Sequence, residues 1–335
     1  MRNQNRRNWV IALSVIFALL NISCDKYRKT EETRFIMGTI VDIKIYRAEK
    51  EKARAVIKKA FDEIERIDKL FSHYKEDSII AKINNNSGRW IEVPGEVLNL
   101  VDRAVKFSDL TGGAFDITIG PVVNLWGFGP SRNRRVPSRA EISDKLSLVN
   151  YKNIEIDKEK NRIKIKKGMR LDMGGIAKGY AVDCAVKILR ENGINNALVN
   201  AGGDIFVMGE KKKEEFFNIG IQHPRKEKEI IQSLKVSDVS VITSGDYENY
   251  FIEDGKRYHH IFNPKTGYPS NLCQSVTIIT RSHAVDILST GIFVLGPEKG
   301  IELVESIPGA ECFIIDESGK IIKSKGFDKY IAKTN

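Results

Sequence analysis

The pattern of apolar and polar positions predicts a strand followed by a helix at the start of the folded part of the chain. Thr39, Val41, Ile43 and Ile45 alternate with more polar neighbours, which is the period of a half-buried strand. Between residues 56 and 71 the apolar positions instead recur at helical spacing, so that they share one helix face. We therefore expect a strand near residues 39–45, followed by an amphipathic helix.

Helix and strand signals then alternate as far as the C-terminus. Helices are predicted for residues 94–110, 176–192, 283–295 and 297–306, and Gly112 and Gly193 close the first two. Strands are predicted near residues 154–156, 163–165, 197–200, 205–208, 216–222, 234–242 and 275–280, with a final pair after residue 306. Residues 127–136 (GFGPSRNRRV) are predicted to form a basic, glycine-containing loop.

The chain shows no long linker, low-complexity segment or internal repeat. We therefore expect a single large domain of mixed α/β (α+β) class over residues 34–335, built as two lobes with a central cleft.

The first 24 residues have the pattern of a targeting segment. Three early arginines precede an apolar run from Trp9 to Leu20, which is too short for an ordinary spanning helix, and small Ser23 precedes Cys24. This resembles a bacterial lipoprotein signal in which Cys24 is lipidated and becomes the mature N-terminus. An uncleaved signal anchor is the alternative, and either arrangement places the folded part outside the cytoplasm.

Residues 25–33 (DKYRKTEET) are polar and carry no periodicity, which favours a short tether between lipid and domain. Asp25 directly after the lipid cysteine favours retention at the inner membrane. The expected location is therefore the periplasmic side of a bacterial inner membrane, with the protein held by its N-terminal lipid.

Composition excludes some classes of protein. Of the 335 residues 41% are hydrophobic, which is enough to bury a full core and argues against disorder. The net charge is +10, but acids interrupt the basic runs and no recognised nucleic-acid motif accompanies them, so no nucleic-acid partner is expected. Cys184, Cys273 and Cys312 are too few and scattered for a disulfide scaffold and are expected to be small buried residues.

Two glycine-containing segments suit the binding of a phosphoanhydride. In residues 112–121 (GGAFDITIGP) small residues permit close approach to the backbone, and Asp116 offers an acceptor. In residues 171–180 (LDMGGIAKGY) a strand ends near Asp172, and a helix begins whose N-terminus and Lys178 favour an anion. Taken alone, each segment is also consistent with an ordinary capped turn.

Two later segments offer a base and a metal site. Residues 259–269 (HHIFNPKTGYP) contain two adjacent histidines, one of which can accept a proton from an attacking hydroxyl, although the loop can also be purely structural. On the predicted helix that contains residues 282–290 (SHAVDILST), Asp286 and Thr290 stand four apart and share a face. A carboxylate and a hydroxyl so placed suit Mg²⁺, and a capped or solvated helix face is the alternative.

Together and in this order, the segments resemble the ApbE family of FAD:protein FMN transferases. The likeness runs from about Phe35 to Gly296. It also includes the segments Met37-Gly38-Thr39, FSHY at 71–74, VNAGGDIFVMG at 199–209, ITSGDYENYF at 242–251 and HAVDILSTGIFVLG at 283–296. The family's mixed α/β fold with a cleft-bound flavin agrees with the class predicted above.

The resemblance assigns roles to individual residues. It implies that FAD, the substrate, is contacted by Met37, Tyr74, Ala114, Phe115, Asp116, Asp172, Lys178, His260 and Ile261. It implies that Mg²⁺ is held by the backbone oxygen of Gly175 and the side chains of Asp286 and Thr290. Gly203, Asp204 and residues 244–246 are expected to shape the same cleft.

The implied reaction is transfer of FMN from FAD to a Thr or Ser hydroxyl of a partner protein, with release of AMP. His260 is expected to assist deprotonation of that hydroxyl, with Asp286 as the rival catalytic group. The family implies acceptors among the flavoprotein subunits of membrane redox complexes. Two other functions fit the same residues, namely a Mg²⁺-dependent FAD pyrophosphatase and a non-enzymatic lipoprotein that binds flavin.

Overall fold

The computed structural model describes residues 29–72, 75–129, 133–281 and 288–332. Its strands are β1 Thr30–Ile36, β2 Thr39–Ile45, β3 Ile91–Glu92, β4 Ile154–Asp157, β5 Arg162–Ile165, β6 Ala197–Ala201, β7 Asp204–Met208, β8 Phe217–Gln222, β9 Ile230–Val236, β10 Val239–Gly245, β11 Tyr250–Glu253, β12 Lys256–His259, β13 Cys273–Thr280, β14 Ala310–Asp316 and β15 Ile321–Lys323. Its α-helices are α1 Lys50–Phe71, α2 Ile79–Asn85, α3 Gly95–Leu110, α4 Gly120–Leu125, α5 Arg139–Leu146, α6 Ala177–Glu191, α7 Leu288–Leu295 and α8 Pro297–Glu305.

A mixed sheet-and-helix architecture is observed, as the sequence predicts. Eight strands form one sheet in the order β1-β2-β6-β7-β10-β13-β14-β15, and each neighbouring pair is antiparallel. Two-stranded β8–β9 and β11–β12 sheets and a three-stranded β3–β5–β4 sheet complete it.

One face of the large sheet is covered by helices. Helix α1 packs on β1 and β2, α6 on β6 and β7, α7 on β10 and β13, and α8 on β14. The helical spacing of the sequence explains this, because Val56, Ala60 and Ile64 lie on the buried face of α1. Strand β2 meets them with Val41, Ile43 and Ile45, all of them buried. Burial of this apolar surface is the main favourable contribution to the fold.

The other face of the sheet is covered by the β8–β9 hairpin and by the C-terminal turn at Phe327–Tyr330. Strand β8 alternates buried and exposed positions along its length, so that Phe217, Ile219 and Ile221 point inward. A third apolar cluster surrounds the fully buried Trp126 and joins α4 and α5 to the segment between β10 and β13. That segment, residues 246–272, is thereby fixed against the rest of the domain.

The structure corrects two boundaries that were predicted from sequence. Residues 30–33, expected in the polar tether, begin strand β1, which is an edge strand whose polar residues alternate along its length. The predicted strand 234–242 is two strands, because residues 237–238 turn the chain with Asp238 at a φ of 54°. The described part of the predicted helix 283–295 is Leu288–Leu295, and residues 283–287 lie outside the described residues.

Several short elements were not predicted from sequence, among them β1, α2, α4, α5 and the β11–β12 hairpin. In the part of the chain that the structure describes, no helix combines the length and apolar character that a bilayer crossing requires.

Candidate active site

The ends of β1, β6 and β10 and the starts of β2, β7 and β13 meet at one edge of the large sheet and bring three glycine-containing segments together there. The antiparallel registers place the β1–β2 turn at Met37-Gly38 and the β6–β7 turn at Gly202-Gly203 beside each other, and Gly202 N donates to Ile40 O at 3.0 Å. Strand β10 ends at the same edge with Gly245, opposite Ser275 of β13. The predicted flavin contact at Met37 therefore lies at this edge, partly buried in a backbone conformation with a φ of 56°.

The segments GGAFDITIGP and LDMGGIAKGY lie against each other. Asp172 N donates to Ile117 O at 2.7 Å, and Ile119 forms a parallel bridge with Arg170. A Cβ added to Gly175 would lie 3.0 Å from Phe115 Cε2, which is closer than such contacts normally allow. Glycine at position 175 thus lets the 172–176 turn pack on the Phe115 ring.

Thr290 of helix α7 lies at the same turn. Its Oγ1 is 3.7 Å from the position that a Gly175 Cβ would occupy and 3.3 Å from Ser244 Oγ. Ser244 Oγ also donates to Ser289 Oγ at 2.9 Å. The described residues therefore bring hydroxyl oxygens beside the Gly175 backbone, as the sequence predicted for Gly175 and Thr290.

This donor set fits Mg²⁺, which prefers oxygen ligands and uses few protein groups when it also binds a phosphate. Asp286, the predicted carboxylate ligand, lies outside the described residues. Tyr74, the predicted stacking ring, and Cys24, the predicted lipid site, lie outside them too.

A different group of acidic and thiol side chains does not have the character of a metal centre. Glu63, Glu96 and Cys184 lie close together on three helices. The guanidinium of Arg66, however, donates to both carboxylates at 2.6–2.9 Å. Both carboxylates are therefore already engaged in hydrogen bonds to this arginine.

Asp116 is committed to the protein rather than open to a ligand. Its Oδ1 accepts hydrogen bonds from Thr118 N and Thr118 Oγ1, both at 2.7 Å, and its Oδ2 accepts from Tyr151 N at 3.0 Å. Burial raises the pKa of this carboxyl, and the same hydrogen bonds act in the opposite direction. Asp116 therefore fixes the shape of the 114–118 segment, whose Ala114 and Phe115 are also buried.

Lys178 lies in the first turn of α6, as predicted, and is partly buried. Its Nζ forms an ion pair with Asp204 Oδ2 at 3.0 Å. This pair ties the start of α6 to the β6–β7 turn, so that Asp204 helps to form the cleft, as expected for the AGGD segment. A phosphate that approached Lys178 would share it with this carboxylate.

The two adjacent histidines differ in how their nitrogens are used. His259 is buried; its Nε2 lies 2.7 Å from Ser270 O, and its Nδ1 accepts from Ile261 N at 3.2 Å. Because a carbonyl only accepts, Nε2 carries the proton, and both nitrogens are satisfied within the protein. His259 is a structural residue that holds the start of the HHIFNPKTGYP segment, including buried Ile261.

Among the residues that the structure describes, His260 has a hydrogen-bond partner at one ring nitrogen. Its Nδ1 lies 3.2 Å from Asn249 O, so that Nδ1 donates and Nε2 holds a lone pair. The pKa of His260 is lowered to about 4, chiefly by burial and in addition by His259 and Lys178, while the Asn249 backbone and Asp172 act in the opposite direction. A neutral imidazole with an unprotonated Nε2 has a lone pair that can accept a proton, and the role of His260 as a general base stays a prediction.

The Asp246 carboxylate is hydrogen-bonded to two arginines rather than to the hydroxyl groups beside Gly175. Its carboxylate accepts from Arg225 through two bonds of 2.7 Å and from Arg257 at 3.3 Å. The clamp holds the tip of the β8–β9 hairpin against the chain that leaves β10. Asp246 thus shapes the cleft indirectly, and Ser244 is the residue of this segment that reaches Thr290.

Sequence reasoning did not find the role of Asn249, whose carbonyl orients His260. The hairpin register supplies the missing signal, because Tyr250 pairs with His259 and the next positions outward are Asn249 and His260. Because the β11–β12 hairpin was not predicted, Asn249 was not expected to lie opposite His260.

Comparison with known proteins identifies the family of this chain. The model of the ApbE family matches residues 37–314. A FAD:protein FMN transferase of Vibrio cholerae is 32% identical over 98% of this chain and 100% of that protein. A relative of the same name from Treponema pallidum is 30% identical over 90% of this chain and 88% of its own length.

Two solved structures share the fold. An ApbE protein of Thermotoga maritima superimposes with a TM-score of 0.84 at 38% identity, covering 91% of this chain and 100% of that one. The apo form of the flavinyl transferase ApbE of Pseudomonas stutzeri gives a TM-score of 0.81 at 32% identity, covering 93% and 99%.

Proposed function

The chain belongs to the ApbE family, and from that premise we propose that it is a Mg²⁺-dependent FAD:protein FMN transferase. It moves FMN from FAD to a Thr or Ser hydroxyl of an acceptor flavoprotein and releases AMP. The observation that carries the proposal is the juxtaposition of the Gly175 turn with Thr290, in the same cleft as His260.

The residues of the cleft have distinct tasks in this reaction. The turn at 172–176, the N-terminus of α6 and Lys178 provide a positive site for the diphosphate of FAD. Met37 and the 114–116 segment, with Ile261 and Tyr74, are the proposed contacts of the remainder of FAD. Since Asp116 is committed to Thr118 and Tyr151, its contribution is to hold the backbone of Ala114 and Phe115 in place.

The metal ligands proposed are the Gly175 backbone oxygen, the Thr290 hydroxyl and the Asp286 carboxylate. Bound Mg²⁺ would withdraw charge from the diphosphate and so favour attack at phosphorus. Ser244 supports the Thr290 hydroxyl through a hydrogen bond, and Ser289 in turn holds the Ser244 hydroxyl, so that the Thr290 oxygen is oriented.

Proton transfer falls to His260. As the acceptor oxygen forms its bond to the FMN-side phosphorus, its proton passes to His260 Nε2, and the bond from phosphorus to the AMP oxygen breaks. A base with a pKa of about 4 is weak, so the proton moves late, once the new bond has made the hydroxyl acidic. Asp286 is the rival base if its carboxylate is not fully engaged by metal.

Mass spectrometry tests the proposed reaction directly. The purified protein is incubated with FAD, Mg²⁺ and an acceptor flavoprotein that carries a Ser/Thr-Gly-Ala-Thr segment, and also without the acceptor. We expect an added FMN mass on a Ser or Thr of the acceptor, together with an equal amount of AMP. AMP and free FMN at the same rate in both reactions would instead identify a pyrophosphatase, and FAD binding without turnover would identify a flavin-binding protein.

We also propose that the enzyme is exported and anchored by lipid at Cys24, on the periplasmic side of the inner membrane. The support is the sequence of the first 25 residues. A tether of this kind raises the concentration of enzyme near flavoprotein subunits of membrane redox complexes, which are the proposed acceptors.

A further inference from the structure

The described residues of the basic loop, 127–129 and 133–136, have no part in the reaction described above, yet they contact one another and the β11–β12 hairpin closely. Gly127 has a φ of 78°, and a Cβ at this position would lie 2.2 Å from Asn133 O. Only glycine allows the chain at Gly127 to approach Asn133 so closely. This close approach fixes the backbone at Asn133, from which the next residue, Arg134, extends.

The far side of the loop is also fixed. Ser138 and Glu141 form a capping box at the start of α5, and Arg135 forms an ion pair with Glu141. The two adjacent arginines thus have different partners. Arg135 serves the helix cap, whereas Arg134 turns toward the β11–β12 hairpin.

Arg134 holds the residue that orients His260. Its Nη1 donates to Tyr250 O at 2.8 Å, and its Nη2 donates to Asn249 Oδ1 at 2.5 Å. The guanidinium also lies over the Phe128 ring, 5.1 Å from the ring centroid. A planar group with several fixed donors can restrain the Asn249 side chain and the following carbonyl together.

Asn249 in turn determines which nitrogen of His260 carries the proton. Its carbonyl accepts from His260 N at 3.1 Å and lies 3.2 Å from His260 Nδ1. If this carbonyl moves, Nδ1 loses its acceptor, and the proton can shift to Nε2, the nitrogen that must be bare to act as a base.

We propose that Arg134 is a positioning residue, which holds Asn249 so that His260 keeps its proton on Nδ1 and its lone pair on Nε2. This rests on the proposed role of His260 in FMN transfer. The charged and titratable groups facing His260 are His259, Lys178 and Asp172, and the Phe128 ring lies 6.5 Å from it. Arg134 does not act by changing the charges around His260. It acts by holding the Asn249 backbone carbonyl, which accepts from His260 Nδ1.

The test compares two neighbouring arginines. Arg134→Gln is expected to lower kcat for FMN transfer about tenfold, with the KM for FAD unchanged, because the base is misplaced after substrate has bound. Arg134→Lys keeps the charge but lacks the planar fork and should fall between wild type and Arg134→Gln. Arg135→Gln, which loses only the contact to the helix cap, should leave kcat unchanged.

A double-mutant cycle separates action through His260 from a general loss of structure. In a His260→Ala background, Arg134→Gln should reduce kcat less than twofold further, since the group that it positions is absent. A further tenfold loss in that background, or an unchanged kcat in Arg134→Gln alone, would overturn the proposal.

A readout that needs no turnover keeps this inference separate from the proposed function. In ¹⁵N NMR spectra at neutral pH, wild-type His260 should show a protonated Nδ1 and a bare Nε2, and Arg134→Gln should show a mixture of both tautomers. An unchanged tautomer in the variant would contradict the positioning role even if the wild type transferred no FMN. A wild type that forms no FMN–acceptor adduct would contradict only the transferase assignment and His260's part in it.

Discussion

His259 and His260 are adjacent in sequence but differ in their capacity for chemistry. Strand β12 ends at His259, whose ring is buried against Phe293 and uses both nitrogens within the protein. His260 follows the strand and shares only one nitrogen with Asn249. The chain thus uses the first histidine to fix the backbone that presents the second.

The protonation of His260 predicts the acid limb of the pH profile. Because its pKa is lowered to about 4, we expect the rate of FMN transfer to fall only as the pH drops through about 4, when protonation removes the Nε2 lone pair. An ordinary imidazole would give this loss near pH 6.5. The rate at saturating FAD is measured between pH 3.5 and 8, with near-UV circular dichroism at each pH as the control for folding. A limb near pH 6.5 would exclude a depressed pKa for the group that controls the rate.

The Thr290 hydroxyl should control the dependence on Mg²⁺. Thr290→Val keeps the shape of the side chain but removes the oxygen near Gly175, so we expect the Mg²⁺ concentration for half-maximal rate to rise by roughly ten- to a hundredfold. Thr290→Ser retains the oxygen and serves as the matched control, with little change expected. Equal Mg²⁺ titrations for the two variants would show that Thr290 is not a metal ligand.

At the scale of elements, Gly120 of the GGAFDITIGP segment explains how the start of α4 packs against the chain at Arg170. Gly120, the first residue of α4, is buried, and a Cβ at this position would lie 2.7 Å from Arg170 O. The contact joins the start of α4 to the chain that leads into the Asp172 turn. The glycine is therefore required by packing as well as by any ligand.

Substitution of this glycine should destabilise the domain. Gly120→Ala forces the Arg170 backbone to move, and we expect the free energy of unfolding to fall by about 1–3 kcal/mol. Gly95→Ala at the start of α3 is the control, because its nearest neighbour would be Asn161 Oδ1 at 3.9 Å and a change within about 0.5 kcal/mol is expected. The two variants are compared by urea unfolding followed by circular dichroism. Equal unfolding midpoints would mean that the Arg170 contact relaxes without cost.

Long periodic elements could be predicted from sequence, whereas short ones could not. Helices α1, α3 and α6 each place many apolar residues on one face; the predicted and observed bounds agree closely for α3 and α6, whereas α1 begins six residues before the predicted Val56. Strand β1 was missed because it lies at a sheet edge, where polar residues face solvent and the apolar alternation is weak. The predicted strand 234–242 concealed a turn because Asp238, rather than glycine, adopts a positive φ there.

Prediction of the site shows the same division. Thr290 and the Gly175 turn were brought together correctly, since each lay in a recognisable local segment. The sequence could not show which charged side chains are held by hydrogen bonds or ion pairs, because their partners are distant along the chain. Asp116 is bound by Tyr151, Lys178 by Asp204, and Asp246 by Arg225.

At the scale of the whole molecule, the folded domain begins almost directly after the predicted N-terminal targeting segment. Strand β1 begins at Thr30, so only residues 25–29 separate Cys24 from the first residue of the sheet. If Cys24 carries lipid, the six residue steps from Cys24 to Thr30 span at most about 22 Å, and the domain lies close to the bilayer surface.

Lipid attachment can be tested by one substitution. We expect Cys24→Ser to release the protein from the membrane fraction and to remove the mass of the lipid from the mature N-terminus. Cys184→Ser is the control, since this cysteine lies within the folded domain on α6. Membrane fractionation and intact-mass measurement check both variants. Retention of Cys24→Ser in the membrane, with residues 1–24 still attached, would indicate an uncleaved anchor.

The antiparallel sheet separates the cleft from the opposite ends of the same strands. The loop after β7 lies at that opposite edge, where Met208 pairs with Ala197 and Gly209 donates to Asp238, and its residues 212–216 are exposed. A fluorophore or a short affinity tag inserted there would be attached to the rigid sheet, yet lie a full strand length from the cleft. This loop is therefore a suitable place to label the enzyme while it remains able to engage a large protein substrate.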